Sequence, residues 1–316
     1  MARLIGIALG PGVYCKGVHQ MPQATRLVLF LMGMLAFEAL GRIGELEAAK
    51  VPLEVTRHKW GQYRIFVKQR AGTVFERADP DNGIDEHVLI QDKRGRIVRE
   101  IVASGLIAEV KFVELTGGGL PELLIDTYSG GAHCCFVSYY FTQDGGLRNL
   151  LIFVADDAGP PEPRYLNGDG RPKLVADSDV LAYFEGLSYA SSPFVTMVLG
   201  WDGKAYRDQT KAYPQVARKS AQKYQAEFLK SLSEPGGWWE GYPSCRKGSA
   251  LGYYANSLVS GGGAAARAWL LKHAPKETRE WLFGHEKALR IQLNQSARKI
   301  GVRQKRIHNS FLYICL

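Results

Sequence analysis

The sequence predicts a mainly β protein, built from about two to three units of four short strands each and followed by a small α-helical C-terminal region. Three observations point there. A ten-residue frame occurs twice, as ELTGGGLPEL at 114–123 and YLNGDGRPKL at 165–174, with starts 51 residues apart. Three Asp-Gly or Gly-Gly turns each separate two apolar runs. After Gln209 the apolar spacing changes from alternation to the three-and-four rhythm of helices. A period near 50 residues fits a unit of about four short strands.

The first 41 residues read as a leader. Leu27 to Phe37 is an apolar run of 11 residues behind Arg26. That is too short to span a bilayer, which takes about 20 residues, and suits the apolar core of a secretory signal. Ala39-Leu40-Gly41 places small residues for cleavage after Gly41, and Met21 stands where such a signal would begin, so residues 1–20 read as an over-extended start. The alternatives are an uncleaved anchor at residues 27–40 or a buried core helix. The expected location is periplasmic or extracellular.

Residues 42–57 read as a mixed connector, and β character is expected from 58 to 210. YRIFVK at 63–68 alternates as a strand does. Three hairpins follow. HVLIQDKRGRIVREI (87–101) turns at Asp92–Gly95, VSYYFTQDGGLRNLLIF (137–153) at Asp144–Gly146, and VTMVLGWDGKAYRDQ (195–209) at Asp202-Gly203. Such dipeptides accept positive φ and so close tight hairpins. The clear units are placed at 114–164 and 165–210, with a worn one before them. A helical region is expected over 211–295, with helices at 213–232, 250–258, 264–273 and 276–293. A basic tail is expected at 296–316.

The decapeptides resemble the FG-GAP or VCBS-type (integrin-alpha-like) repeat family, in which a loop of the form Asp-Leu-Asn-Gly-Asp-Gly-x-Pro-Asp-Leu precedes a strand. The resemblance covers about residues 105–210. It implies a propeller-like, extracellular β module that serves adhesion or ligand display, with calcium in its loops. A closed propeller takes at least about four blades, more than the units recognisable here. Calcium takes six to eight oxygens, several of them anionic. The first loop offers Glu114, Thr116 and Glu122, and the second Asn167 and Asp169, while Tyr165 and Lys173 stand at ligand positions. The expectation is therefore turns held by their glycines, with calcium as the alternative.

The stretch DTYSGGAHCC (126–135) stands out. His133, Cys134 and Cys135 allow a disulfide, a zinc or copper site, or a cysteine nucleophile with His133 as base. Cys15 falls in the leader, leaving Cys134, Cys135, Cys245 and Cys315 with three open connectivities. Paired carboxylates occur at Asp156-Asp157 and at Asp177 with Asp179. Asp177 follows the second repeat's strand as Asp126 follows the first, which places both on one rim of the sheet by analogy. Asp126, His133 and Asp177 are the candidate binding residues, and the acids of the two pairs read as solvated loop groups. The run WWEGY at 238–242 reads as a seal between the helical and β regions, or as an exposed sugar-stacking surface.

The net charge of +9 is uneven, because the six basic residues from Arg290 to Arg306 stand with no acid between Ala288 and Leu316. That end reads as a solvated basic segment able to touch anionic surfaces, and no nucleic-acid partner is expected. Phosphate-binding, dinucleotide-binding, Gly-x-Ser-x-Gly and His-Glu-x-x-His signatures do not occur in the sequence. The expected function is non-catalytic binding or structural support, toward a protein or carbohydrate ligand. The alternatives are a cell-envelope hydrolase using rim carboxylates and a metal-binding protein using His133 with Cys134 or Cys135.

Overall fold

Each hairpin read from the sequence closes the last two strands of a four-stranded sheet. The computed structural model describes residues 53–73, 77, 85–103, 105–130, 136–233 and 243–302. The chain divides at Pro52, and all of these residues belong to the unit that starts at Leu53. The expected leader, His133, Cys134, Cys135, residues 238–242 and Cys315 lie outside the described residues. No helix among the described residues is long and apolar enough to cross a membrane.

The first sheet contains β1 (Leu53–Trp60), β2 (Tyr63–Arg70), β3 (Glu86–Gln91) and β4 (Ile97–Ala103). The second contains β5 (Leu106–Val113), β6 (Glu122–Tyr128), β7 (Phe136–Thr142) and β8 (Arg148–Asp156). The third contains β9 (Glu162–Arg164), β10 (Lys173–Ser178), β11 (Val195–Trp201) and β12 (Tyr206–Asp208). In each the strands neighbour one another in chain order, and every pairing is antiparallel.

The units are thus one strand out of phase with the expected ones. The decapeptides connect the first strand of a sheet to its second, rather than opening the unit. LIAEVKFV (106–113), which carries a Glu and a Lys amid its apolar residues, is the strand that precedes the first copy. β1 likewise begins within the expected connector. Its register with β2 is continuous from Leu53↔Arg70 to Trp60↔Tyr63, although most of its side chains are exposed. Backbone pairing, not an apolar face, makes it a strand.

Alternation decides what each sheet buries. In β2, Tyr63, Ile65 and Val67 are buried while Arg64 and Lys68 are exposed. These residues, with Val88, Ile90 and Ile101, pack on Ile107, Leu123, Ile125 and Phe141 of the second sheet. The other face of the second sheet places Leu124, Tyr140, Leu151 and Phe153 against Leu174, Met197, Leu199 and Tyr206 of the third. Glu86 is 0% exposed and ties the first sheet to the second. Its carboxylate accepts from Arg70 N (3.0 Å), Arg77 Nη1 (2.9 Å) and Ile107 N (2.7 Å), so a buried charge meets both cations and backbone donors.

Helices follow: α1 (Pro214–Ser233), α2 (Pro243–Val259), α3 (Gly263–His273), α4 (Lys276–Gly284) and α5 (Glu286–Val302). Pro214 at the first position lacks only an N–H that a helix start leaves unused. Ala217, Ala221, Tyr224 and Phe228 form the buried stripe of α1. A Cβ on Gly252 of α2 would lie 2.6 Å from the Tyr224 ring, so the close approach of α1 and α2 requires glycine there. Phe228, Leu251, Tyr254, Leu270, Leu282 and Leu289 build a third core, which also takes in Val195 of the third sheet.

Two helical expectations change. The single helix expected over 276–293 is two helices, because Gly284 ends one and the His285 ring nitrogen donates to Trp281 O at 2.7 Å. The tail expected from residue 296 is instead helical to Val302, and residues beyond 302 lie outside those described.

Candidate functional site

Three carboxyl groups and two phenols meet where β6, β8 and β10 end. Asp156 closes β8 with φ +49°, a left-handed backbone unusual for a residue with a Cβ. A tight turn from Ala155 O to Ala158 N (2.9 Å) holds it there and presents Asp157 beside it. Asp179 follows β10, and its own carbonyl accepts from Ala182 N at 2.6 Å. Tyr189 opens the 3-10 turn Tyr189–Ser191, and Tyr128 ends β6, stacked on Phe136 at 4.6 Å between ring centres.

The electrostatics follow from this crowding. Burial, then the charge of Asp156 and a hydrogen bond with it, push the Asp179 carboxyl up to about 7, with Asp157 adding to the effect. Two like charges in contact cannot both ionise easily, so the pair holds a proton toward neutral pH. The Tyr189 phenol is raised by burial and by the nearby carboxylates, including a hydrogen bond with Asp157. Tyr128 is raised by burial and by Asp157. The group therefore offers a protonated carboxyl that donates, carboxylate oxygens that accept, and aromatic faces, a set suited to a ligand rich in hydroxyls. Strained backbone of the Asp156 kind gathers at functional sites.

The candidate pair from the sequence is not brought together. Asp126 shares its face of β6 with Leu124 and points toward the third sheet. It is 2% exposed, and Lys111 Nζ lies 3.8 Å from its Oδ2. Burial raises its pKa. Asp177 lies on the opposite face of the third sheet from Ala176 and accepts from Thr196 Oγ1 at 2.7 Å, with Ser220 of α1 at 2.6 Å from that hydroxyl. The two positions lie on corresponding faces of successive sheets and so enter successive layers, Asp126 toward the third sheet and Asp177 toward α1. Asp156, Asp157 and Asp179, read as solvated, are half-buried and together. Tyr189 carried no sequence signal, since its approach depends on the loop between β10 and β11.

The decapeptide loops spend their oxygens on themselves. Glu114 Oε1 accepts from Gly117 N (2.7 Å) and Gly118 N (3.1 Å), and Glu122 from Leu115 N (2.7 Å) and Thr116 Oγ1 (2.8 Å). In the second loop Lys173 Nζ stands 2.8 Å from Asp169 Oδ2, where a bound cation would sit. Asn167 Nδ2 donates to the same oxygen at 3.0 Å, and Arg171 N to Asp169 Oδ1 at 2.9 Å. Those donors hold the Asp169 carboxyl at about 2. Among the described residues no group of three or more His, Cys, Asp or Glu side chains is arranged to hold a metal ion. The Cys245 sulfur is buried on α2, 3.3 Å from Ser191 Oγ, and the other cysteines of the expected bonds lie outside the described residues.

Fold and site together define a mainly β protein of three four-stranded antiparallel sheets with C-terminal helices. No family model matches the chain. It is similar to the uncharacterized protein y4bJ of Sinorhizobium fredii (strain NBRC 101917 / NGR234), 27% identical over 161 residues. That match covers 48% of this chain and only 25% of the relative. No solved structure matches.

Proposed function

We propose that this protein is an exported, non-catalytic recognition module with a propeller-like arrangement of sheets, and that the Asp156–Asp157–Asp179 rim with Tyr128 and Tyr189 is its ligand surface. The carrying observation is the hydrogen-bond contact between Asp156 and Asp179. A glycosidase keeps its carboxyls about 5–10 Å apart to leave room for the sugar or a water. Two carboxyls within hydrogen-bonding reach of each other are closer than that, and they suit hydrogen bonding to a hydroxyl-rich ligand such as an envelope carbohydrate. The repeated turns, with glycines retained and ligand carboxylates lost or self-bonded, support a scaffold role. The apolar run at 27–37 supports export.

A glycan array followed by NMR titration tests this reading. Binding that moves the Asp157, Asp179 and Tyr189 resonances, and that Asp179→Ala weakens about tenfold or more, is the expected result. Retention of residues 1–41 on the protein recovered from cells would overturn the cleaved-leader part.

A second reading rests on the same contact. A carboxyl protonated near neutral pH beside another can activate water, as paired carboxyls do in hydrolases. Release of soluble fragments from cell-wall polymer, lost in both Asp156→Asn and Asp179→Asn, would establish it in place of the first.

A further inference from the structure

A cavity lies between the third sheet and the helices, with Val180, next after Asp179, in its lining. Its volume is about 450 Å³, within the roughly 300–1,000 Å³ range of small-molecule sites. Its walls are apolar, from Met197 of β11, Leu258 and Val259 of α2, and Leu293 of α5. Its polar groups come from Thr196, Asp208, Thr210, Lys211, Arg290 and Asn294.

Those polar groups are unequal in what they have left to offer. Asp208 Oδ1 already accepts from Thr210 N (2.9 Å) and Thr210 Oγ1 (2.6 Å). Thr196 Oγ1 is fixed by Asp177 and Ser220. Lys211 is exposed, and its ammonium makes no hydrogen bond or ion pair among the described residues. Arg290 donates from Nε and Nη2 to Glu286 Oε1, at 3.0 and 2.7 Å, and its guanidinium also hydrogen-bonds the Tyr254 side chain. Asn294 is exposed with its amide unengaged among the described residues. The cavity therefore couples an apolar interior to the uncommitted ammonium of Lys211 and amide of Asn294, while Asp208 Oδ1 is turned to internal bonds and Arg290 is paired with Glu286.

We propose that this cavity is a binding site for a small organic monocarboxylate with an apolar body. The body lies against Met197, Leu258, Val259 and Leu293, and the carboxylate meets the Lys211 ammonium with the Asn294 amide beside it. A cation would be repelled by Lys211. A neutral apolar molecule would gain nothing from Lys211, and a multiply charged anion would waste the apolar walls. The site goes beyond the rim reading and does not depend on it.

Calorimetric titration with decanoate, below its micelle concentration, tests the proposal, with decanol as the uncharged comparison. Saturable one-to-one binding of decanoate is expected, with decanol at least about tenfold weaker. Lys211→Glu, an exposed change that leaves the fold intact, is expected to weaken decanoate about tenfold or more. Lys204→Glu on the β11–β12 turn is expected to leave it unchanged. Val259→Trp fills the cavity and is expected to abolish binding, with Leu293→Trp as the companion should the first not fold. Asp179→Asn is expected to leave decanoate binding intact, so failure at the rim and failure here are distinguishable. Absence of saturable decanoate binding, or equal affinity in Lys211→Glu and the unaltered chain, would overturn the proposal.

Discussion

Asp179 hydrogen-bonds Asp156 across the ends of β10 and β8, where Asp156 has a left-handed backbone. A buried like-charge pair of this kind has a direct consequence for stability.

The Asp179 carboxyl is raised from an ordinary 3.8 to about 7. Below about pH 4 both folded and unfolded chains keep it protonated, and its favourable contribution is fully present. As pH rises toward 7 the unfolded chain gives up the proton while the folded one retains it, and stability falls until the folded group ionises beside Asp156 and Asp157. Asp179→Asn removes that loss. Melting curves from pH 4 to 8 should show a flatter pH dependence for the variant and a Tm above the unaltered protein's at pH 8. A kilocalorie is worth roughly 2–4 °C for a domain of this size. Identical pH profiles would show that the two carboxyls do not meet in solution.

Asn256 joins the helices to the third sheet. It is 0% exposed, accepts from Thr196 N at 2.9 Å, and donates to Phe194 O and Gly252 O, each at 2.9 Å. Asn256→Ala strands a buried backbone donor and acceptor and opens a small void. The expected cost is about 2–4 kcal/mol in denaturant unfolding. A cost under about 0.5 kcal/mol would mean that water replaces the side chain.

Gly117 adopts φ +81° in the first decapeptide loop, and a Cβ there would lie 2.7 Å from Arg171 Nε of the second. Gly117→Ala is expected to cost about 1–2 kcal/mol, most of it backbone strain, since the long Arg171 side chain can move aside. Adding Arg171→Ala should recover only a small part. Full recovery in that double variant would assign the cost to the clash.

Millimolar calcium, or its removal with a chelator, should shift Tm by less than about 1 °C, because a ligand that binds only the folded form raises stability in proportion to occupancy. The Lys173 ammonium already stands against Asp169, and Glu114 and Glu122 are bonded within their own loop. A rise of several degrees with calcium would place a cation in the loops after all. Lys173→Asp, which removes the resident charge and adds a carboxylate, is the variant expected to gain a calcium response.

Much of the architecture was legible along the chain because it is local. The turns at Asp92–Gly95, Asp144–Gly146 and Asp202-Gly203 need positive φ and stand between alternating apolar runs, and each joins a third strand to a fourth. The stripe Ala217, Ala221, Tyr224 and Phe228 declares a helix by spacing alone. β1 and β5 were less legible. Charged or exposed side chains mask them, and what makes them strands is hydrogen bonding to β2 and β6.

The sequence by itself determined a mainly β chain of antiparallel strands, a change to helix after Gln209, and the glycine turns that close the hairpins. Those follow from periodicity and from the dihedral freedom of glycine, which act within a few residues. Only the tertiary structure decided which acids meet. Asp126 and Asp177 hold matching places after their repeats and corresponding faces of their sheets, yet they enter different layers, because Asp126 meets the third sheet and Asp177 meets the first long helix. Asp156 and Asp179 lie 23 residues apart in the chain and share a hydrogen bond because two sheets pack with their strand ends side by side. A contact set by packing leaves no trace in the spacing of the residues that make it.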